Sequence, residues 1–349
     1  MKKLYITPLF YAIGNAAEEI LWAHARSYLL QKKLNIISPY SCTETLDYKI
    51  CNKELFRVVV INEEKLDRNQ IIMKSIFQFI VNLFFFLRRL ISIVNRRYIH
   101  LHISSAWNFL AIGQQVYWPV SRDRRFHYDD IKVDPIITAI HNLPPIILRN
   151  RTHLSCIKNL SEYGIPIGAR FVCLHVRDSG YHNDPSRRDY RNANIINYHK
   201  AIKFLVENGL YIFRMGDNKM NDIGIKHPNI IDYPFTKLKS ESMDLFLIKN
   251  CEFYIGMQSG ITDVAVLFNK PILMVNMYSW FFGYPLKNYD RGMFKSIKIR
   301  QEKHGSVLTI MDQFAFPYYY TNPEEILSDD LEYIENSPDE IHLATQDFF

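Results

Sequence analysis

Residues 169–194, ARFVCLHVRDSGYHNDPSRRDYRNAN, mark the architecture of the chain. Positions 169–176 are mostly apolar and β-prone, which is how a parallel strand buried on both faces reads. The strand ends at His175, Arg177 and Asp178. A loop follows with Gly180, Pro185, Arg187, Arg188 and Arg191, and a helix is expected from about Asn194. Strand, polar loop and helix in this order belong to an open α/β sheet, which binds ligands at the carboxyl ends of its strands. Guanidinium groups clustered at such an edge suit phosphate, whose oxygens accept their planar fork of donors.

The same alternation runs through the rest of the second half. A helix is expected over 152–163, closed by Gly164 and Pro166. After the 169–176 strand come a helix over 195–208, a strand over 210–215, a short strand over 229–233 and a helix over 241–250. A strand over 251–257, a helix to 269 and a strand over 272–276 complete the series. In the first half, strands are expected over 3–8, 34–38 and 56–61. A tight turn at 12–15 leads into a helix over 18–32. Leu143-Pro144-Pro145 stiffens the connection between the halves. An acidic helix is expected over 323–336. The fold class is therefore α/β with parallel sheets in two Rossmann-like halves. The expected domains are 1–148, 149–325 and a C-terminal helix and tail over 326–349.

A chain of 349 residues is long enough for two such domains. The formal charge of +6 is compatible with anionic ligands or an anionic membrane surface, and too weak to argue for nucleic acid. The five cysteines form no C-x-x-C pair, which fits a reducing cytoplasm. Pro8 and Gly14 break the short apolar stretch at the start, so it reads as a strand and not a signal peptide. Residues 71–97 are the most hydrophobic part of the chain. Their longest uncharged run, Ser75 to Leu87, is short of the ~18 residues a spanning helix needs. Lys74, Gln78, Asn82, Arg89, Ser92 and Arg96 fall on one helical stripe. Such an amphipathic helix either packs on its own sheet or lies in an anionic membrane interface.

Three strand ends of the second half carry polar turns: HVRD at 175–178, RMGD at 214–217 and MQSG at 257–260. In a parallel sheet they share one edge and can surround one ligand. The candidates there for binding a phosphorylated donor are Asp178, Arg191, Asn194, Arg214, Gly216, Asp217, Gln258, Ser259 and Gly260. Ser259-Gly260 ahead of a helix offers a hydroxyl and unpaired N–H groups to a phosphate. The sequence has neither G-x-G-x-x-G after these strands nor G-x-x-x-x-G-K-[ST], which argues against a dinucleotide dehydrogenase and a P-loop NTPase. It also lacks H-E-x-x-H, paired Cys/His spacing and D-x-D, so no metal site is expected.

CLHVRDSGY, YRNAN, a helix, a strand ending RMGD, and a later SG turn before a helix and a KP strand resemble a family of bacterial glycosyltransferases of surface-polysaccharide gene clusters. These are distantly related to fucosyltransferase-like GT-B enzymes. The likeness covers about 150–280. Ile13-Gly14-Asn15 is similar to the family's IGH-type turn, with Asn15 where His is common. The resemblance implies two facing Rossmann-like domains with an interdomain cleft, and a donor diphosphate held by a His-x-Arg pattern, here His175 and Arg177. It implies a nucleotide sugar as substrate and a surface-glycan acceptor. No cofactor is expected. The 71–97 helix, lying on lipid, would bring a cytoplasmic protein to the inner face of the cytoplasmic membrane and to a polyprenyl-linked acceptor. Transfer needs a base for the acceptor hydroxyl. Glu18, beside Glu19, is the preferred candidate from the first half. The other readings are a nucleotide-sugar epimerase and a non-catalytic nucleotide-sugar or glycan-binding protein.

Overall fold

The computed structural model describes residues 3–6, 8, 12–36, 50–60, 72, 75, 76, 79, 80, 83, 87, 139, 140, 142–179, 190–278, 287, 289–299, 306–309, 311 and 331–349. The chain divides into two compact units, Met1–His153 and Leu154–Phe349.

The first unit opens with β1 (Lys3–Ile6), α1 (Ile13–Leu29) and β2 (Lys33–Ile36), and β1 pairs parallel with β2. This is the expected β–α–β element, with one correction. The tight turn expected at 12–15 is the first turn of α1, capped by extended Ala12. The helix reaches back to Ile13 because Ala16 and Ala17, which lose no side-chain entropy on becoming helical, carry it through Gly14. Those alanines, with Ala23 and Ala25, are fully buried. At the far end, buried His24 places Nε2 2.8 Å from the Pro144 carbonyl, which ties α1 to the proline segment.

The strand expected over 56–61 is corrected too. Leu55–Arg57 is a 3-10 turn, and only β3 (Val59–Val60) is extended. It pairs antiparallel with β4 (Ile146–Ile147), outside the parallel sheet. Val59 is exposed, and a pair with one wet face does not need the parallel interior. Helical backbone at 72, 75, 76, 79, 80, 83 and 87 agrees with a helix within 71–97. Lys74, Arg88, Arg89, Arg96 and Arg97 of that segment lie outside the described residues, as do Arg187 and Arg188 of the loop after Asp178.

The second unit follows the sequence closely. After α2 (Asn150–Tyr163) and Gly164, whose φ of +99° ends it, come β5 (Phe171–Leu174), α3 (His199–Glu207), β6 (Tyr211–Arg214) and β7 (Ile230–Ile231). Then come α4 (Glu241–Asn250), β8 (Tyr254–Gly256), α5 (Gly260–Leu267), β9 (Ile272–Met277) and β10 (Arg291–Phe294). These strands form one six-stranded sheet in the order β10-β9-β8-β5-β6-β7. Every pairing in it is parallel. All four residues of β5 are buried, as a central strand covered on both faces requires. Val172 and Leu174 join a cluster with Ile202 and Leu205 of α3, and strand alternation sends Phe171 and Cys173 to the other face.

The acidic helix expected over 323–336 is overturned where the chain is described. β11 (Ser296–Ile299) and β12 (Leu331–Ile334) form an antiparallel pair. Leu331 and Tyr333 alternate with Glu332 and pack against Ile297, so a period of two outweighs the acidic composition. The helix comes later, as α6 (Pro338–Phe348), started by a Ser337–Glu340 capping box. Its Ile341 is fully buried in the cluster under α3. Residues 331–348 are therefore built into the second unit.

Candidate functional site

The strand order reverses at β5. β6 and β7 follow it to one side, and β8, β9 and β10 lie on the other. In sheets of this kind ligands bind outside the carboxyl ends of the two strands at the switch point, here β5 and β8. The β5 end supplies His175 and Arg177, and the β8 end supplies Gln258, Ser259 and Gly260.

His175 is locked on both sides. Its backbone N–H donates to the Ile255 carbonyl of β8 at 2.9 Å. Its Nδ1 lies 3.2 Å from the Met215 carbonyl beyond β6. A carbonyl only accepts, so Nδ1 carries the proton and Nε2 keeps its lone pair. Burial lowers the imidazole to about 4, with smaller contributions from the Arg214 and Arg177 charges. At neutral pH the ring is uncharged, and Arg177 alone of the pair carries charge. His175 instead offers Nε2 as an acceptor, suited to a ligand hydroxyl.

This burial has a consequence for stability. The unfolded chain takes up the His175 proton near the ordinary histidine value, whereas the folded chain resists until about pH 4. The unfolded state binds more protons in that window, so stability rises with pH there and is flat above it. His175 should account for a loss of about 2 kcal/mol between pH 7 and pH 5. Urea unfolding of wild type and His175→Asn at the two values measures this. An equal pH dependence in both proteins would show that His175 is not its source.

Arg177 is 6% exposed, and its Nη1 donates to Asn192 Oδ1 at 2.9 Å. Its carbonyl accepts from the Ala193 N–H at 2.9 Å, which lays the returning segment 190–194 along the end of β5. Lys295, 4% exposed, donates from Nζ to the Asn192 carbonyl. Two buried cations thus converge on one asparagine. An aromatic wall stands beside them. The Tyr190 and Tyr278 rings meet edge to face at 5.0 Å, Tyr333 lies 5.8 Å from Tyr190, and the Arg191 guanidinium lies 5.9 Å from the centre of Tyr278.

Other candidates act as fasteners. Gln258 is buried, and its Oε1 accepts from the Tyr278 N–H at 2.8 Å, joining the ends of β8 and β9. Asp178 accepts from the Asn221 N–H at 2.8 Å, joining the β5 and β6 loops. Asp217 closes its own turn by accepting from the Lys219 N–H. Asn194 caps the 3-10 turn Ile195–Tyr198 by accepting from the Ile196 N–H. At Gly216 φ is +151°, and a Cβ would come within 2.3 Å of Met220 Sδ.

Arg214, expected among the donor-binding residues, is held inside the fold. It is 1% exposed, and its Nε lies 2.7 Å from Asp232 Oδ1, off the hydrogen-bond axis. Its Nη2 also donates to Asp232 Oδ2 and to the Asn221 carbonyl. The guanidinium ties the β6 end to Asp232 and to the Asn221 carbonyl inside the fold. Ser259 stands at the start of α5. It is the N-cap of α5 without using its side chain as a cap, and its hydroxyl lies 3.2 Å from Thr262 Oγ1. Gly260 opens the helix, and the Thr262 N–H donates to the Ser259 carbonyl at 3.0 Å, so the Gly260 and Ile261 N–H groups stand ahead of that first bond.

No family model and no curated protein matches the chain. Among solved structures it is similar to a glycosyl transferase family 9 protein from Veillonella parvula, at 11% identity and a TM-score of 0.45, over 94% of this chain and 95% of that one. It is similar to ADP-heptose LPS heptosyltransferase II from E. coli, at 13% identity and a TM-score of 0.48, over 100% and 98%. An iron-containing heptosyltransferase in complex with ADP-heptose matches at 11% identity and a TM-score of 0.28, over 51% and 45%. At these scores the reading of the chain rests on its own sheet and loops.

Glu18 belongs to the first unit and lies in the second turn of α1, not at its first position as expected. Burial raises its carboxyl above the usual range, which makes it a stronger base once ionised. Sequence reasoning missed Asn192, Tyr278 and Lys295. Asn192 stood inside the YRNAN string, and Tyr278 follows the last residue of β9, so the strand-end rule that found Arg177 could have found both. Lys295, between β10 and β11, had no such signal.

Proposed function

We propose that this chain is a glycosyltransferase whose second unit holds a nucleotide-activated sugar at the switch point between β5 and β8. One observation carries the donor side: buried Arg177 stands at the end of β5, and its backbone N–H donates to Met257 Sδ at 3.2 Å, two residues before the Ser259 N-cap of α5. A guanidinium and helix N-terminal amides together neutralise a departing diphosphate. The Tyr190, Tyr278 and Tyr333 rings supply the apolar faces that a nucleotide or sugar ring needs. Transfer itself, as opposed to binding, is supported by the CLHVRDSGY and YRNAN resemblance.

In the reaction an acceptor hydroxyl attacks the anomeric carbon, and the bond from that carbon to the phosphate oxygen breaks. The nucleoside diphosphate leaves with the electron pair, and the hydroxyl proton passes to a base. Glu18 is our candidate for that base, and a surface-glycan or lipid-linked hydroxyl is our candidate acceptor. We place the protein in the cytoplasm, in keeping with the free thiols of Cys51, Cys156, Cys173 and Cys251. The absence of D-x-D and zinc-type spacing supports transfer without a metal.

A thermal-shift panel of GDP, UDP, dTDP, ADP and CMP tests the donor side. One nucleoside diphosphate should stabilise the protein by roughly 2.7 kcal/mol at a hundredfold excess over Kd. Its sugar conjugate, given an acceptor, should then be consumed in the presence of EDTA. Interconversion of the donor without acceptor would make the protein an epimerase, and binding without turnover would make it a binding protein. Activity lost on chelation and restored by Mg²⁺ or Mn²⁺ would overturn the metal-free reading.

A further inference from the structure

Arg177 is fixed along its backbone from two directions. Its N–H donates to Met257 Sδ at 3.2 Å, and its carbonyl accepts from the Ala193 N–H at 2.9 Å. An arginine side chain is long and rotamer-rich, so these two bonds leave the direction of the guanidinium open. Asn192 settles it. Its Oδ1 accepts from Arg177 Nη1 at 2.9 Å, and its own carbonyl accepts from Lys295 Nζ at 2.5 Å. Lys295 in turn donates its backbone N–H at 2.7 Å to the carbonyl of Met277, the last residue of β9. Asn192 thus ties the guanidinium at the end of β5 to the end of β9. All three side chains are buried.

The chemistry of residue 192 counts alongside its place. A carboxylate, the partner that Asp232 provides for buried Arg214, would orient Arg177 equally well and subtract from its charge. An amide oxygen accepts the same N–H and stays neutral. A fork that receives a departing diphosphate needs both a fixed direction and its charge, because the phosphate oxygens grow more negative as the bond to the sugar breaks. We propose that Asn192 is a positioning residue of the donor site, aiming the Arg177 guanidinium without subtracting from its charge, and that Lys295 holds Asn192 in place. The role rests on the assignment of the donor diphosphate to Arg177, and it acts on the alignment of the reaction more than on affinity.

Isothermal titration of the full chain with the diphosphate found by thermal shift, together with kcat for its sugar conjugate, tests this. Asn192→Ala keeps the Arg177 charge and frees its direction. Its Kd should rise less than about threefold, while its kcat should fall roughly tenfold or more. Asn192→Asp keeps the acceptor oxygen and adds a negative charge, so its loss should appear in affinity, with Kd raised roughly tenfold or more. Lys295→Met, which removes the anchor, should lower kcat in the same direction as Asn192→Ala. Because Asn192 acts through Arg177, Asn192→Ala should cost less than about twofold in kcat once Arg177 is already Ala. Urea unfolding checks the fold of each variant, and Asn192→Asp, nearly the same in shape as wild type, carries the test should Asn192→Ala unfold. A folded Asn192→Ala protein with the wild-type kcat overturns the proposal. So does an equal loss of kcat in the wild-type and Arg177→Ala backgrounds, and so does an Asn192→Asp protein that binds the diphosphate as wild type does. A wild type that binds no nucleoside diphosphate overturns the donor-site assignment itself, and this role with it.

Discussion

Arg177→Ala should weaken nucleoside diphosphate binding by roughly 10- to 100-fold, the loss expected for one charge-assisted contact. Turnover should fall further, because the charge on the departing diphosphate grows as the bond breaks. The fold should survive, because Asn192, left without that donor, is a neutral amide and not a charge, at a cost of about 1–3 kcal/mol. Arg177→Lys separates charge from shape. It keeps the cation and removes the fork, so it should recover part of the binding and less of the turnover. Isothermal titration with the diphosphate found by thermal shift gives the first number, and donor consumption gives the second. Unchanged affinity in a folded Arg177→Ala protein would sink the assignment of the donor site to the end of β5.

Arg214→Ala should be the most destabilising single change in the second unit. Removing one partner of a buried ion pair strands the other, at a cost of about 3–5 kcal/mol. Here the stranded group is Asp232, whose Oδ2 also accepts from the Ile223 N–H and fixes the segment between β6 and β7. The mechanism makes a second demand. Arg214→Met combined with Asp232→Leu should recover much of the loss, because the double change leaves no uncompensated charge. Urea unfolding of the two variants decides the matter. A mild effect of Arg214→Ala on stability, coupled to a large one on nucleotide affinity, would return Arg214 to the ligand groups.

Arg177 and Arg214 also show what was legible in the sequence. Both are arginines at the carboxyl end of an apolar strand, and pattern alone treats them alike. The difference between them is a carboxylate 18 residues on, Asp232, which only the folded β6–β7 connection brings to Arg214. The sheet was legible because β5, β6, β8 and β9 are apolar runs ended by polar turns, and α4 occupies the expected 241–250. Where a segment is covered on one side only, pattern and structure part. Val59–Val60 pairs antiparallel, and Leu331–Ile334 hides a strand under an acidic composition. His175 could be located but its protonation could not, since burial and the Met215 carbonyl decide it. Lys295 had no strand-end signal because it lies between two strands that belong to different sheets.

One pair of asparagines couples the crevice-side edge of the sheet to the last helix. Asn276, in a left-handed backbone at φ +57°, donates its N–H to Asn336 Oδ1 at 2.6 Å, and Asn336 donates its own N–H back to Asn276 Oδ1 at 2.7 Å. Asn276 Nδ2 also donates to the Tyr198 hydroxyl, and all three side chains are buried. Asn276 stands two residues before Tyr278, and Asn336 stands two before α6. Mechanically, the end of β9 and the start of α6 are one rigid joint. A pull on the chain beyond Ser337 therefore reaches the backbone that carries Tyr278 through two short hydrogen bonds, alongside the packing of Ile341 under α3.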